Sequence, residues 1–184
     1  MDDLARYQAR TPAETADVER VRALLTDPDP WRRELLPLHL TASALIVHPP
    51  TRRVLLRWHA RQQAWLMVGG HGDPGETDPV AIALREGREE TGLTDLRPWP
   101  RPDVMQVVVV TVPAAPHEPA HQHADVRYVL ATDTPDDATP ENPVAEVRWL
   151  TVDQARELTS VANVRELVAR VEPLFTQPAN QGFS

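Results

Sequence analysis

Residues 69–93 have the sequence GGHGDPGETDPVAIALREGREETGL, which carries the strongest structural signal in the chain. The glycine-rich start predicts a tight turn, and the segment after it has residues that favour the two ends of a helix. Asp78 suits the N-cap, and Pro79 suits the first helical position, where a missing N–H costs nothing. Gly92 suits the left-handed position that often ends a helix. The stretch therefore predicts a loop followed by a short helix that begins at Pro79.

Three glutamates of the predicted helix, Glu86, Glu89 and Glu90, have the spacing i, i+3 and i+4 and therefore lie on one face. Like charges at that separation repel one another unless a cation lies among them. Carboxylate oxygens are ligands that Mg²⁺ and Mn²⁺ prefer, so this face predicts a divalent metal site. The alternative is a solvated helix surface with Arg85 and Glu89 paired, but it leaves the loop and the helix ends unexplained.

The opposite face of the helix is predicted to pack against the rest of the protein. At helical spacing this face comprises Val80, Ala83, Leu84, Gly87 and Thr91. A glycine inside a helix costs roughly 0.5–1 kcal/mol relative to alanine. Its place on the packing face indicates that the helix backbone closely approaches a sheet.

The stretch resembles the signature of the Nudix hydrolases (the Nudix box, here residues 70–93), G-x5-E-x7-R-E-U-x-E-E-x-G-U, in which U is apolar. The fixed positions of that signature are occupied by Gly70, Glu76, Arg85, Glu86, Glu89, Glu90, Gly92 and Leu93. Two departures occur: eight residues instead of seven separate Glu76 from Arg85, and Gly87 stands at the first apolar position. The extra residue falls at the helix start, where a loop absorbs it without rotating the glutamates.

The resemblance implies a role for each residue of the box. The expected ligands of Mg²⁺ or Mn²⁺ are Glu86, Glu89, Glu90 and the Gly70 carbonyl. Glu76 and Arg85 are expected to form a structural pair that holds the loop on the helix. A carboxylate in the box helix, or one in a loop after it, activates the attacking water in this family. We expect that catalytic group to be Glu89 or Glu86, ahead of the outside candidates Asp136, Asp137, Glu141 and Glu146.

A second polar pattern occupies residues 121–127. If this segment is extended, four polar side chains point to one side and could contact a phosphate or a further metal: His121, His123, Asp125 and Arg127. His-x-His is a common zinc-ligand spacing, although no thiolate is available to complete such a site. The alternative is an exposed strand edge with incidental histidines. The resemblance favours substrate binding, because a strand after the box commonly lines the substrate cleft in this family.

Arg57 lies beside Trp58 and His59, just before the box. An arginine next to an aromatic ring could pair with a phosphate while the ring stacks on a base. Arg57 is therefore a further candidate for substrate binding. The alternative is a strand-end tryptophan that packs in the core, and we favour it for Trp58.

The composition bounds the function classes. A chain of 184 residues with 41% hydrophobic and 25% charged residues is typical of one soluble domain. It has no cysteine, which excludes disulfides and a cysteine nucleophile, and all 19 basic residues are arginine, which excludes a catalytic lysine. A net charge of −8 argues against general nucleic-acid binding. The N-terminus has no apolar signal region and no apolar run could span a membrane, so we expect a cytoplasmic protein.

Hydrophobic periodicity predicts the remaining elements. Helices are expected over residues 12–25, 30–36, 152–158 and 161–172. Strands are expected over residues 39–48, 52–58, 65–68, 104–112, 124–132 and 145–151. This order predicts an α/β fold with a mixed sheet covered on both faces, and the resemblance implies a Nudix-type α/β/α sandwich. We expect an N-terminal helical extension at residues 1–36, the Nudix hydrolase domain at residues 37–175 and a flexible tail at residues 176–184.

The resemblance implies a metal-dependent hydrolase that cleaves a pyrophosphate bond in a nucleoside diphosphate linked to another moiety. Its partner would be a small nucleotide-like substrate, and the family also allows for a homodimer. The alternative is a catalytically silent nucleotide-binding or sensor module, which the intact carboxylate set disfavours. An isoprenoid diphosphate isomerase is set aside, since those enzymes use a cysteine. The sequence does not indicate which diphosphate is bound.

Overall fold

A computed structural model describes residues 2–116 and 118–176, and the predicted flexible tail from residue 177 onward lies outside the described residues. The helices are α1 (Asp2–Arg6), α2 (Pro12–Leu24), α3 (Pro79–Thr91), α4 (Val152–Leu158) and α5 (Ala162–Val171). The strands are β1 (Leu38–His48), β2 (Arg53–His59), β3 (Ala64–Leu66), β4 (Val68–Gly70), β5 (Arg97–Pro98), β6 (Gln106–Val112), β7 (His121–Ala131) and β8 (Val147–Thr151). Among the helices of these residues, none is both long and apolar enough to cross a bilayer.

The sheet is mixed and centres on two long strands. β1 runs parallel to β7, with Leu38 opposite Gln122 and Val47 opposite Ala131. β2 and β4 pair with β1 in the antiparallel sense, and β3 and β8 extend the sheet from β2. β5 and β6 pair antiparallel with the other side of β7. The parallel pairing of β1 and β7 places polar residues from distant parts of the chain side by side.

Each face of the sheet is covered by helices. One core cluster joins α2 and α3 to the sheet through residues such as Val18, Val21 and Ile82. The second cluster joins α4 and α5 to the opposite face, with Leu167 and Val168 fully buried. The predicted α/β/α sandwich with a mixed sheet is therefore confirmed.

The predicted helix over residues 30–36 is wrong. The segment instead forms turns, in which the Leu35 N–H donates to the Arg32 carbonyl and the Leu40 N–H donates to the Pro30 carbonyl. A run this short between two prolines offers few helical hydrogen bonds. Burial of Trp31 holds the segment against the core instead.

The strand predicted over residues 65–68 is divided in two. Ala64–Leu66 pairs with β2, whereas Val68–Gly70 pairs with β1. The break at Met67 turns the chain from one neighbour to the other, so the second piece delivers the glycines of the box to the central strand. A short strand at Arg97–Pro98 within the proline-rich segment was not predicted.

The N-terminal segment covers the outer edge of β6. Glu14 accepts a hydrogen bond from the Val107 N–H at 3.1 Å, and Asp17 accepts one from the Val109 N–H at 3.0 Å. The Glu14 carboxylate also pairs with Arg170 of α5 at 2.8 Å. Edge strands expose unpaired N–H groups that could pair with another strand. The two carboxylates accept hydrogen bonds from these groups on β6 instead.

Candidate functional site

The box forms the predicted loop and helix. Asp78 is the N-cap of α3 and accepts a hydrogen bond from the Val80 N–H at 3.0 Å. Gly92 follows the helix in the left-handed conformation, with φ of 69°. At Gly87, a Cβ atom would lie 2.8 Å from Leu96 Cδ1, in a space that Leu130 and other sheet residues enclose. The predicted close approach of the helix to the sheet is therefore confirmed.

The three glutamates of α3 have different surroundings. The Glu90 carboxylate is buried against the Arg57 guanidinium and accepts a hydrogen bond from the Gly69 N–H at 3.0 Å. Glu86 and Glu89 both contact Arg85, at 2.9 and 3.0 Å. Arginine side chains thus supply part of the positive charge that the spacing of the glutamates predicts, and the Arg85–Glu89 pair of the alternative interpretation also forms.

Arg85 connects the loop of the box to the helix. Its guanidinium pairs with Glu76 at 3.0 Å and donates to the His71 carbonyl at 2.7 Å. Gly70 lies against the same group of side chains, because a Cβ there would be 2.6 Å from a carboxylate oxygen of Glu86. A side chain at this position would force the Glu86 carboxylate to move.

Burial dominates the electrostatics of the glutamates. It raises the pKa of Glu90 to about 7, although the Arg57 guanidinium and the Gly69 N–H oppose it, and the neighbouring carboxylates Glu86 and Glu141 add to the rise. Burial also raises the pKa of Glu86, against the opposing charge of Arg85. Concentrated negative charge with little access to water is the environment that a divalent cation stabilises.

One of the four carboxylates named outside the box lies at this site. Glu141 accepts a hydrogen bond from Arg57 at 3.2 Å, and its N–H donates to the Glu90 carbonyl at 3.3 Å. Glu146 pairs instead with Arg148 at 2.6 Å, and Asp136 and Asp137 lie in an exposed turn. The loop that carries Glu141 runs beside the end of α3, which the sequence did not show.

The predicted polar strand is extended, as β7, and pairs with β1 and with β6. The alternative of an exposed strand edge is therefore wrong. Arg127 pairs with Asp125 at 2.7 Å and also donates to Gln106 and Asn163. Asp125 in turn accepts hydrogen bonds from hydroxyl groups of β1, including Ser43 at 2.7 Å. These two predicted substrate contacts thus belong to a buried, mutually bonded network.

A cavity of about 260 Å³ joins the box to the polar strand. Its walls include Arg57, Gly70, His71, His123, Asp125 and Arg127. His121 is buried and does not line this cavity, which argues against its predicted contact with substrate. Trp58 packs against Trp65 with ring centroids 5.8 Å apart, in agreement with a core role.

His121 and His123 lie in a cluster with two histidines that the sequence analysis did not name. His39 of β1 is opposite His123 in the parallel register, and His71 follows Gly70 in the box loop. Burial lowers the pKa of His71 to about 4 and that of His123 to about 3, with the neighbouring imidazoles adding to the shift. Burial therefore favours the neutral form of the His71 and His123 imidazoles within this cluster. The cluster depends on strand pairing, so no local signal in the sequence indicated it.

Comparison with known proteins agrees with the box. The sequence profile of the NUDIX domain matches residues 37–171. The 8-oxo-(d)GTP phosphatase of Mycolicibacterium smegmatis is 32% identical over 125 residues, which are 67% of this chain and 34% of that protein. The chain thus spans about a third of the length of this curated relative.

Solved structures share the fold at lower identity. A C. elegans Ap4A hydrolase in a binary complex has a TM-score of 0.59 and 19% identity, covering 74% of this chain and 97% of its own. The E. coli dihydroneopterin triphosphate pyrophosphohydrolase has a TM-score of 0.55 and 20% identity, covering 71% and 92%. The M. smegmatis Nudix hydrolase RenU has a TM-score of 0.54 and 24% identity, covering 75% and 86%. Since the profile matches most of the sequence and the box retains its carboxylates, the chain belongs to the Nudix hydrolase family.

Proposed function

We propose that this protein is a divalent-cation-dependent hydrolase that cleaves a pyrophosphate bond in a nucleoside diphosphate linked to another moiety. The observation that carries the proposal is the meeting of the box with a polar cavity. Gly70 and His71 line the same cavity as Arg57 and Arg127, so the box loop, which adjoins the Glu86 carboxylate of α3, and two cationic groups border one space. A diphosphate needs both: oxygen ligands for its metal and cationic or polar donors for its phosphates.

The residues present fit Mg²⁺ or Mn²⁺. Glu86, Glu89, Glu90 and the Gly70 carbonyl would hold the ion, since they are hard oxygen donors and Gly70 leaves room beside Glu86. Burial raises the pKa of Glu90 and Glu86 and so disfavours their charged forms, which a bound cation would stabilise. When bound, the ion would orient the diphosphate and offset the charge that develops on the leaving phosphate.

The side chains of the site would divide the remaining work. The Glu89 side chain is 57% exposed, compared with 16% for Glu86, so water reaches Glu89 most directly and we assign it the role of general base. Glu76 and Arg85 would keep the loop in place on α3. Arg57 and Arg127 would act on the phosphates only after exchanging one of their present partners, because both guanidinium groups are hydrogen-bonded.

A hydrolase of oxidised guanine nucleoside triphosphates is the second candidate. It rests on the 32% identity to the 8-oxo-(d)GTP phosphatase, although the shared region is about a third of that protein. Such a substrate also contains phosphoanhydride bonds, so the same carboxylates would serve. We place the hydrolase domain at residues 37–175, which the profile match over residues 37–171 supports.

The test is a Mg²⁺-dependent screen with product identification by mass spectrometry. The panel contains ADP-ribose, sugar nucleotides, dinucleoside polyphosphates, coenzyme A, ordinary nucleoside triphosphates and 8-oxo-dGTP. Glu89→Gln and Glu90→Gln should each lower turnover roughly a hundredfold or more with the fold retained. Glu19→Gln, on the exposed face of α2, removes the same charge far from the site and should leave turnover unchanged.

Two outcomes would contradict the proposal. Full activity in both Glu89→Gln and Glu90→Gln would exclude the assigned carboxylates. Tight nucleotide binding measured by calorimetry, with no product after hours in Mg²⁺ or Mn²⁺, would favour the sensor module instead.

A further inference from the structure

Four imidazoles from three separate parts of the fold share one small space. They belong to His39 of β1, His71 of the box loop, and His121 and His123 of β7. One ring nitrogen from each histidine lies within 4.8 Å of those of the other three. His39 and His121 are almost fully buried, and His71 and His123 are half-buried.

The spacing of the ring centroids is close to that of a tetrahedral metal centre. Five ring pairs in the cluster have centroids between 4.7 and 5.2 Å apart. Four imidazoles bound at the usual Zn–N distance of about 2.05 Å would have centroids roughly 5.2 Å apart and ligand nitrogens roughly 3.3 Å apart. The observed Nε2–Nε2 distances are 3.1 Å for His71 and His39 and 3.0 Å for His121 and His123. The other nitrogen pairs, which lie within 4.8 Å, would have to approach by up to roughly 1.5 Å to reach ligand geometry.

Outer contacts orient two of the rings towards the centre. Nδ1 of His39 lies 3.1 Å from the Leu35 carbonyl, and Nδ1 of His121 lies 2.9 Å from the Pro119 carbonyl. A carbonyl can only accept, so Nδ1 carries a proton in each ring, and in the neutral form of the ring Nε2 then has the lone pair that a metal would bind. Metal-binding histidines show this arrangement, in which a backbone carbonyl sets the tautomer and the ring orientation.

We propose that His39, His71, His121 and His123 form a four-coordinate site for a transition-metal cation of the Zn²⁺ type, separate from the carboxylate site. Imidazole donors suit Zn²⁺, Co²⁺, Ni²⁺ and Cu²⁺ rather than Mg²⁺. Four protein ligands leave no open position, which is the mark of a structural site. The sequence has no cysteine that could complete a zinc site with His121 and His123. In the folded protein, His39 and His71 supply the two further ligands.

Binding of the metal ion at this site would release no proton from the histidines. In the metal-free cluster each Nε2–Nε2 contact needs one proton, and the outer contacts of His39 and His121 place it on His71 and His123. On binding, that proton moves to Nδ1 of the same ring and Nε2 becomes the ligand. The ion would then connect the loop residue after Gly70 to β1 and β7, and thereby hold the box loop on the sheet.

The experiment uses the full chain without a histidine tag, stripped with a chelator and titrated with CoCl₂ in excess Mg²⁺. We expect one Co²⁺ per chain, with the intense visible bands of tetrahedral cobalt, and displacement of those bands by Zn²⁺. His39→Gln and His123→Gln should weaken Co²⁺ binding roughly a hundredfold or more. His48→Gln is the matched control, because His48 lies at the other end of β1 and contacts Thr51.

A variant at a loop position and a measurement of Tm provide a second test in case His39→Gln or His123→Gln folds poorly. His71→Asn changes a half-buried loop residue, and it should also abolish the cobalt bands. At a hundredfold excess over the dissociation constant, Zn²⁺ should raise the wild-type Tm by roughly 5–10 °C and leave that of His71→Asn unchanged. Glu89→Gln should retain the cobalt bands, which separates this site from the carboxylates.

The proposal is overturned if the wild-type chain binds no Co²⁺ or Zn²⁺, since the histidines are then only hydrogen-bonded pairs. It is also overturned if His71→Asn and His123→Gln bind cobalt as strongly as His48→Gln does. Hydrolase activity is not needed for either result, so failure here leaves the proposed function standing.

Discussion

The guanidinium of Arg57 lies directly against the carboxylate of Glu90, and each side chain is only 10% exposed. The pair joins β2 to the end of the box helix. Arg57 favours the charged form of Glu90, whereas burial of the carboxylate alone would favour its protonated form. The site therefore contains a built-in counter-charge that the spacing of the glutamates did not reveal.

Removal of Arg57 should destabilise the protein. Arg57→Met leaves Glu90 buried without its partner, which should lower the free energy of unfolding by about 3–5 kcal/mol in urea denaturation. The double variant with Glu90→Gln should recover part of that loss, since the unpaired charge is then gone. Arg53→Met, on the exposed start of the same strand, is the control. Equal effects of Arg57→Met and Arg53→Met would show that the pair does not stabilise the fold.

A side chain at Gly70 should impair the site more than the fold. Gly70→Ala places a Cβ 2.6 Å from the Glu86 carboxylate, which must then move. We expect at least roughly a tenfold loss of turnover and a higher Mg²⁺ concentration for half-maximal activity. Circular dichroism melting should show only a small change. Unaltered Mg²⁺ dependence would mean that Gly70 and Glu86 do not act together.

Glu141 provides a test of the general base. Its side chain is 49% exposed and contacts Arg57, so Glu141→Gln should leave the unfolding free energy nearly unchanged. If Glu89 is the base, Glu141→Gln lowers kcat only about three- to tenfold, whereas loss of the base costs roughly 10²–10⁴-fold. Glu146→Gln serves as the control outside the site. A larger kcat loss for Glu141→Gln than for Glu89→Gln would transfer the role to Glu141.

The hydrogen bonds to the buried Glu14 carboxylate should make the free energy of unfolding depend on pH in the acidic range. Burial alone would raise the pKa of Glu14, but hydrogen bonds from Arg170, the Arg10 N–H, Tyr7 and the Val107 N–H lower it to about 2. Because the pKa of Glu14 is lower in the folded state, this carboxylate stabilises the folded protein at pH values above the ordinary glutamate pKa of about 4.5. That stabilisation is lost as the pH falls towards 2. The difference corresponds to roughly 3 kcal/mol.

Unfolding free energies measured between pH 7 and pH 2 would check this expectation. Wild type should lose stability steeply below pH 4.5, and Glu14→Gln should start lower and show a flatter profile. Glu19→Gln, an exposed change on the same helix, should follow the wild-type profile. Parallel profiles for wild type and Glu14→Gln would refute a role for this carboxylate.

Local rules predicted much of the fold and the loop and helix that carry the candidate site. Asp78 and Gly92 end a helix through contacts within a few residues, so their neighbours in sequence contain the needed information. The turn at residues 30–36 was missed because Trp31 is buried by parts of the chain distant in sequence. Burial of one side chain outweighed a short helical pattern there.

The contacts of the candidate site that were not predicted depend on the pairing of strands distant in sequence. Arg57 reaches Glu90 because β2 lies beside the end of α3, and His39 reaches His123 because β1 and β7 are parallel and in register. A slip of that register by one residue would turn His39 to the opposite face of the sheet. One sequence does not state which strands pair, so these contacts could not be predicted.

The carboxylates of α2 that bond to β6 have a consequence for how far the chain can be shortened. The family match begins at residue 37, yet β6 has the sequence QVVVVTV, and its outer edge relies on Glu14 and Asp17. A chain that starts at residue 37 would present a valine-rich edge with free N–H groups, which is a template for strand-to-strand aggregation. We therefore expect the segment outside the family match to limit self-association through the edge of β6.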